Sequence, residues 1–339
     1  MEGYLTRGNV QYTFKQQRAF VGAFFRSKMI IAFMSKLLFI KGCGKMFFGQ
    51  IVTAMVTPFN QEDEIDYPAT SKLLEHLIAN GTDAVVVAGT TGESPTLSSS
   101  EKVELFHFVV QEVNGRIPVI AGTGSNNTRE SIELTKEAEA CGVDGVMLVA
   151  PYYNRPSQEG LYQHFKTIAE YTTLPIMVYN IPGRTAVNIE VDTIVRLAED
   201  VENIVCVKEA SGDLDAMAEI IQRTDEEFTL YSGDDNLTLP VLAIGGVGIV
   251  SVSAHIVGLE MQRMINEFKA GNVDEAGAIH RSLLPTFKAV FSAPSPTPLK
   301  AILNLNGIEV GGVRLPLVPL TEEEIRSLKK QIHLQIIAS

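Results

Sequence analysis

Four short stretches hold most of the side chains able to do chemistry. They are Gly89-Thr90-Thr91-Gly92-Glu93-Ser94, Pro151-Tyr152-Tyr153-Asn154-Arg155-Pro156, Tyr179-Asn180-Ile181-Pro182-Gly183-Arg184-Thr185 and Lys208-Glu209-Ala210-Ser211-Gly212. Each follows a run rich in branched apolar residues, so each sits where a strand ends and a loop begins. Lys208 is the most informative. Side chains alternate along a strand, so Ile204, Cys206 and Lys208 are predicted to share one face, with Val205 and Val207 on the other, packed against helices. A lysine desolvated in this way loses its proton more readily and can attack a keto acid to form an imine. An ion pair with Glu209 is the competing role, but sequence neighbours on a strand face opposite ways. Tyr179 closes the preceding strand, where a phenol beside an imine can carry protons, although a strand-end tyrosine also serves as an ordinary core residue. Thr90 and Thr91, between glycines, offer hydroxyl and N–H donors to a carboxylate, or form a plain turn. Arg184, on a loop after Pro182-Gly183, is placed to grip a carboxylate with paired hydrogen bonds, or to remain solvated.

The elements that position these groups are regular. Strands are predicted at Ile51–Thr57, Ala84–Ala88, Pro118–Ala121, Gly145–Val149, Pro175–Tyr179, Ile204–Lys208, Phe228–Tyr231 and Gly248–Val252. Between them lie helical stretches such as Tyr67–Asn80, Ser99–Asn114, Thr128–Cys141, Gln158–Thr172 and Val191–Asp200. Ser98 or Ser99 ahead of Glu101, and Asn127 or Thr128 ahead of Glu130, are start signals. Asn80-Gly81, Cys141-Gly142 and Ala270-Gly271 are stops. Eight strand–helix units in succession predict an α/β fold, a (β/α)8 TIM barrel with its active site at the C-terminal ends of the strands. A C-terminal helical appendage follows, with helices around Val273–Phe291, after Ser295-Pro296, and at Thr321–Ile336. We therefore expect a basic N-terminal extension over 1–45 that is not part of the fold, a barrel over 46–270, and a helical region over 271–339.

Composition narrows the function classes. The 339 residues carry a net charge of −12, which excludes a nucleic-acid surface built on clustered Lys and Arg. Small molecules are the expected partners. Cys43, Cys141 and Cys206 are too few and too scattered for a disulfide framework or a zinc knuckle, which suits a reducing cytoplasm. The six histidines (His76, His107, His164, His255, His280, His333) fall mostly in helical segments without metal spacing, so no metal is expected. Residues 1–45 hold eight basic side chains against Glu2 alone. Their apolar run, Met29–Ile40, is interrupted by Lys36 and falls short of the ~20 residues of a membrane helix. The segment is also poor in serine for a transit peptide. We expect synthesis to begin at Met46, with the preceding residues read in frame from upstream.

From Met46 onward the chain resembles the 4-hydroxy-tetrahydrodipicolinate synthase (dihydrodipicolinate synthase) family of the pyruvate-dependent class I aldolases. GTTGES, PYYNRPSQEG, YNIPGRT, VKEASGD and YSGDD occur in the family's order and spacing. The resemblance implies condensation of pyruvate with L-aspartate 4-semialdehyde through a lysine Schiff base, a lyase step of lysine and diaminopimelate biosynthesis. It implies Lys208 as the Schiff-base lysine and Tyr179 as proton donor and acceptor. Thr91 would hold the pyruvate carboxylate, with the backbone at Val250 lining the same site. Thr90 would link Tyr179 to Tyr153 of a neighbouring subunit, so the active unit is a homodimer or homotetramer. Arg184 would bind the aldehyde substrate's carboxylate, which separates this branch from the sialic-acid lyases. No cofactor is implied, because the protonated imine is its own electron sink.

One departure bears on regulation. Lysine-inhibited members carry two histidines on the helix after GTTGES where this chain has Ser99 and Lys102, although Ser94, Asn126, Glu130 and Tyr152 of that pocket are present. Strong feedback inhibition is therefore not expected. The competing readings are another superfamily member acting on a sugar-derived keto acid, opposed by Arg184 and the doubled threonine, and a noncatalytic pyruvate sensor, opposed by the intact Lys208 and Tyr179. Glu93 and the pair Asp234-Asp235 fall near the predicted rim without an assigned role.

Overall fold

A computed structural model describes residues 48–332. The basic segment with its Met46 start, Cys43 and His333 lie outside the described residues. Eight parallel strands close into a barrel in chain order: β1 (Ile51–Ala54), β2 (Ala84–Val87), β3 (Val119–Gly122), β4 (Gly145–Val149), β5 (Ile176–Asn180), β6 (Ile204–Glu209), β7 (Thr229–Ser232) and β8 (Gly248–Ser251), with β8 pairing back onto β1. The helices of the barrel are α1 (Tyr67–Ala79), α2 (Ser99–Val113), α3 (Thr128–Cys141), α4 (Gln158–Ala169), the one-turn α5 (Pro182–Thr185), α6 (Val191–Asp200), α7 (Leu214–Arg223), α8 (Thr238–Ala243) and α9 (Ala254–Lys269). After them come α10 (Val273–Ala289), α11 (Thr297–Leu305) and α12 (Glu322–Gln331).

The local reasons are those the residues announce. Ser98 caps α2 by accepting from Glu101 N, while the Glu101 carboxylate accepts from Ser98 N at 2.8 Å, a reciprocal capping box. Asn127 caps α3, which stops at left-handed Gly142. Outward strand residues such as Val85, Val87, Val119, Ala121, Leu148 and Val178 pack against Leu73, Leu77, Leu105, Phe106 and Phe165 of the helices, all buried in one core. Each large side chain in this layer contributes roughly 1.5–3 kcal/mol.

Several predicted bounds shift, three of them as follows. β1 pairs only as far as Ala54, because the chain then trades strand partners for side chains: Val56 N donates to His255 Nε2 at 3.2 Å, and the Thr57 hydroxyl donates to Gly92 O at 2.7 Å. His255 completes this link by donating from Nδ1 to Val252 O at 2.8 Å, and burial lowers its pKa to about 4, so the ring is a neutral tie between β1 and β8. The last helix runs Glu322–Gln331 with Thr321 as its cap, and the predicted stretch beyond Ile332 lies outside the described residues.

β6 is the third case. Pairing runs from Ile176 with Ile204 directly to Met177 with Cys206, so Val205 has no counterpart on β5. This bulge breaks the simple alternation. Ile204 joins Val207 in the helix-facing core rather than sharing a face with Cys206 and Lys208, which corrects the predicted face. Beyond the bulge the register places Tyr179 opposite Lys208 and Asn180 opposite Glu209.

Candidate active site

The C-terminal ends of the strands enclose a cavity of about 290 Å³. Gly89 and Thr90 after β2, Tyr179 on β5, and Ile181 and Arg184 in the following turn all line it. Lys208 does not line the cavity, but its Nζ lies 4.0 Å from the centroid of the Tyr179 ring that does. The lysine is 5% exposed. Its Nζ has neither an ion pair nor a hydrogen bond among the described residues. Burial, the dominant effect, lowers its pKa from 10.5 to about 8, while the fields of Asp234 and Asp235 oppose the fall and Arg184 adds to it. Gly233 makes room here: a Cβ at that position would approach Lys208 Cε to 3.2 Å and Ala210 Cβ to 2.5 Å.

Glu209 does not pair with Lys208. Its carboxylate accepts from Asn180 Nδ2 at 2.9 Å and from Ser211 N at 2.7 Å. Asn180 also donates to Asn188 Oδ1 at 2.7 Å and accepts from Ile189 N at 3.0 Å, which fixes the loop after β5. The competing role for Lys208 is thereby removed.

Tyr179 is buried, and burial pushes its phenol above the ordinary range, while the nearby Arg184 charge and the Thr90 hydroxyl pull the other way. Thr91 is buried in the same turn, and Val250 is fully buried on β8, opposite Val52 of β1. Tyr153 stands apart. It is 90% exposed with a left-handed φ of 72°, an unusual conformation for an aromatic residue. Its loop is held by Asn126, which donates to Tyr152 O at 3.1 Å, and by Asn154, which donates to Asn126 O at 2.9 Å. Within one chain, then, Thr90, Tyr179, Lys208 and Arg184 converge, whereas Tyr153 points away into solvent.

A family model described as the dihydrodipicolinate synthetase family matches residues 47–335. The chain belongs to that family. Among its relatives, 4-hydroxy-tetrahydrodipicolinate synthase 1 of Halalkalibacterium halodurans is 62% identical over 290 residues, covering 86% of this chain and 98% of the relative. The Bacillus subtilis 4-hydroxy-tetrahydrodipicolinate synthase is 58% identical over 287 residues, covering 85% and 99%. The crystal structure of a Bacillus anthracis dihydrodipicolinate synthase superposes with a TM-score of 0.83 at 57% identity, covering 87% of this chain and 99% of that one.

Against this family background, three residues gain a place that sequence reasoning left open. Asp234 faces Lys208 electrostatically, and burial raises its own pKa while the lysine charge lowers it. Asp235 is a staple: its carboxylate accepts from the Ser251 hydroxyl at 2.5 Å and from Ser253 N at 2.9 Å and Oγ at 2.8 Å, which ties the end of β7 to the end of β8. Glu93 is buried under the Thr90–Thr91 turn. The available signal was an acid just beyond a strand end, and that signal does not tell a staple from a field source. Among the described residues no group of three or more His, Cys, Asp or Glu could hold a metal ion, and no helix is long and apolar enough to cross a membrane.

Proposed function

We propose that this protein condenses pyruvate with L-aspartate 4-semialdehyde to 4-hydroxy-tetrahydrodipicolinate, a lyase of the class I aldolase type serving lysine and diaminopimelate biosynthesis. The observation that carries the residue assignment is a buried, unpaired amine whose Nζ lies 4.0 Å from the centroid of the Tyr179 ring. Lys208, neutral in part at physiological pH, attacks the keto carbon of pyruvate, and loss of water gives the imine. Tyr179 supplies and recovers the protons of these steps, relayed through Thr90 to Tyr153 of a second copy. Thr91 and the backbone at Val250 hold the keto acid. Loss of a methyl proton gives the enamine, whose carbon attacks the aldehyde, and the aldehyde substrate's amine then closes the ring and expels Lys208.

Arg184, exposed at the cavity wall, binds the aldehyde substrate's carboxylate. The exposure and strained φ of Tyr153 support a homodimer or homotetramer in which this side chain is buried by its neighbour. Lys102 lines the cavity and stands, with Ser99, where lysine-inhibited members carry histidines, so strong lysine inhibition is not expected. The deciding experiment is pyruvate-dependent loss of aspartate semialdehyde, followed through a coupled reductase. Turnover that is intact in the native chain and abolished by Lys208→Ala supports both substrate and nucleophile. A folded native protein that turns nothing over defeats the reading.

A further inference from the structure

One cluster of buried charge plays no part in the chemistry above. Lys300 on α11 places its Nζ 2.7 Å from Glu93 Oε1, with the two side chains 2% and 1% exposed. The same ammonium donates to Gly312 O at 2.6 Å and lies 4.1 Å from the centroid of the Phe59 ring. Arg314 N donates to Glu93 Oε2 at 2.9 Å. Its guanidinium donates to Asp63 O, Thr96 O and Glu101 Oε1 at 2.8, 2.9 and 2.6 Å, and sits 4.4 Å from the same Phe59 ring. Two basic residues from the region after the barrel therefore close on the turn that leaves β2.

That turn has a conformation in need of support. Glu93 is left-handed at φ 57°, where residues other than glycine are uncommon. Its N–H closes the turn onto Thr90 O at 3.1 Å, and its carbonyl accepts from Thr96 N at 2.9 Å. Buried ion pairs seldom add stability over apolar groups of the same shape, so directional fixing is what such a pair uniquely supplies. Glu93 lies next to Gly92 and two residues from Thr91, whose orientation depends on this backbone.

We propose that Glu93, Lys300 and Arg314 form a positioning latch through which the C-terminal region holds the Gly89–Ser94 turn in the form that presents Thr91 to the keto-acid carboxylate. What the turn binds rests on the function proposed above; the latch itself does not.

The test compares Glu93→Gln, which keeps the volume and an acceptor for Arg314 N, with Lys300→Met and with the double variant. Amide hydrogen exchange over residues 89–97 is read beside that over 209–213, and pyruvate half-saturation is read by borohydride trapping on Lys208. Glu93→Gln is expected to speed exchange in the turn about tenfold with no change over 209–213. Pyruvate half-saturation should rise about fivefold while kcat and the aldehyde KM stay within about twofold, because uniform binding and not the chemical step has been lost. The double variant should regain melting temperature without regaining pyruvate affinity. Lower melting temperatures with native exchange in the turn and native half-saturation would overturn the latch. If Lys300→Met alone fails to fold, Glu93→Gln and the double variant decide the matter. If the native chain traps no pyruvate, the proposed function fails, and exchange in the turn alone then upholds or overturns the latch.

Discussion

Among the described residues two lysines are buried, one at the barrel mouth and one in the seam between barrel and C-terminal helices, and they are met in opposite ways. Lys208 and Lys300 are both nearly inaccessible, and burial is the main influence pulling each below the ordinary lysine range. Lys300 is likewise lowered to about 8, but it is met by a carboxylate at 2.7 Å and a carbonyl at 2.6 Å, which favour its charged form. Lys208 feels Asp234 and Asp235 only at a distance and has a phenol ring beside it. Burial alone therefore does not make a nucleophile. A buried amine without an acceptor, next to a phenol, is what the reaction proposed above calls for.

The sharpest way to break the comparison is to remove each amine while keeping its bulk. Lys208→Met should lower kcat/KM at least about 10³-fold and abolish borohydride trapping. Its urea midpoint should hold or rise, because an unpaired buried amine contributes nothing to folding. Next in size, Tyr179→Phe should lower kcat about 10²-fold or more by removing the proton carrier that Lys300 lacks, with trapping slowed in single-turnover mixing. Lys300→Met should do the reverse of Lys208→Met, losing about 3–5 kcal/mol in urea unfolding because Glu93 is left buried and uncompensated, with most of the loss recovered by adding Glu93→Gln. The smallest effect is pH dependence. A lowered lysine pKa means that the free amine appears at lower pH, so kcat/KM should climb about tenfold per unit from below and level off above about 8. An inflection near the ordinary lysine value of 10.5 would show that Lys208 is not desolvated in solution.

The Lys208 half of this contrast was legible in the chain and the Lys300 half was not, for physical reasons. Helices α3 and α6 begin and end where their sequences say, α3 because Asn127 and Gly142 mark its ends with local hydrogen bonds and a left-handed stop. Lys208, Tyr179, the two threonines and Arg184 were placed by strand ends, which a barrel brings to one face. The Glu93–Lys300 contact spans two distant stretches of chain with no periodic pattern connecting them, so neither residue declares its partner. The bulge at Val205 was hidden for a different reason, since a residue that pairs with nothing has the same side chain as one that pairs. Tyr153 was assigned by resemblance to work in a second copy, and a single chain shows only its exposure and strain.

The unpaired Val205 has a consequence for how this gene can change. The inward aim of Lys208 is set by parity along β6, so gaining or losing one codon anywhere between the bulge and Lys208 would rotate the amine into the helical layer while leaving every catalytic side chain encoded. Two codons at once would restore the aim. Volume-conserving apolar substitutions in this stretch of strand leave the aim alone, and what is inherited is the parity of its length.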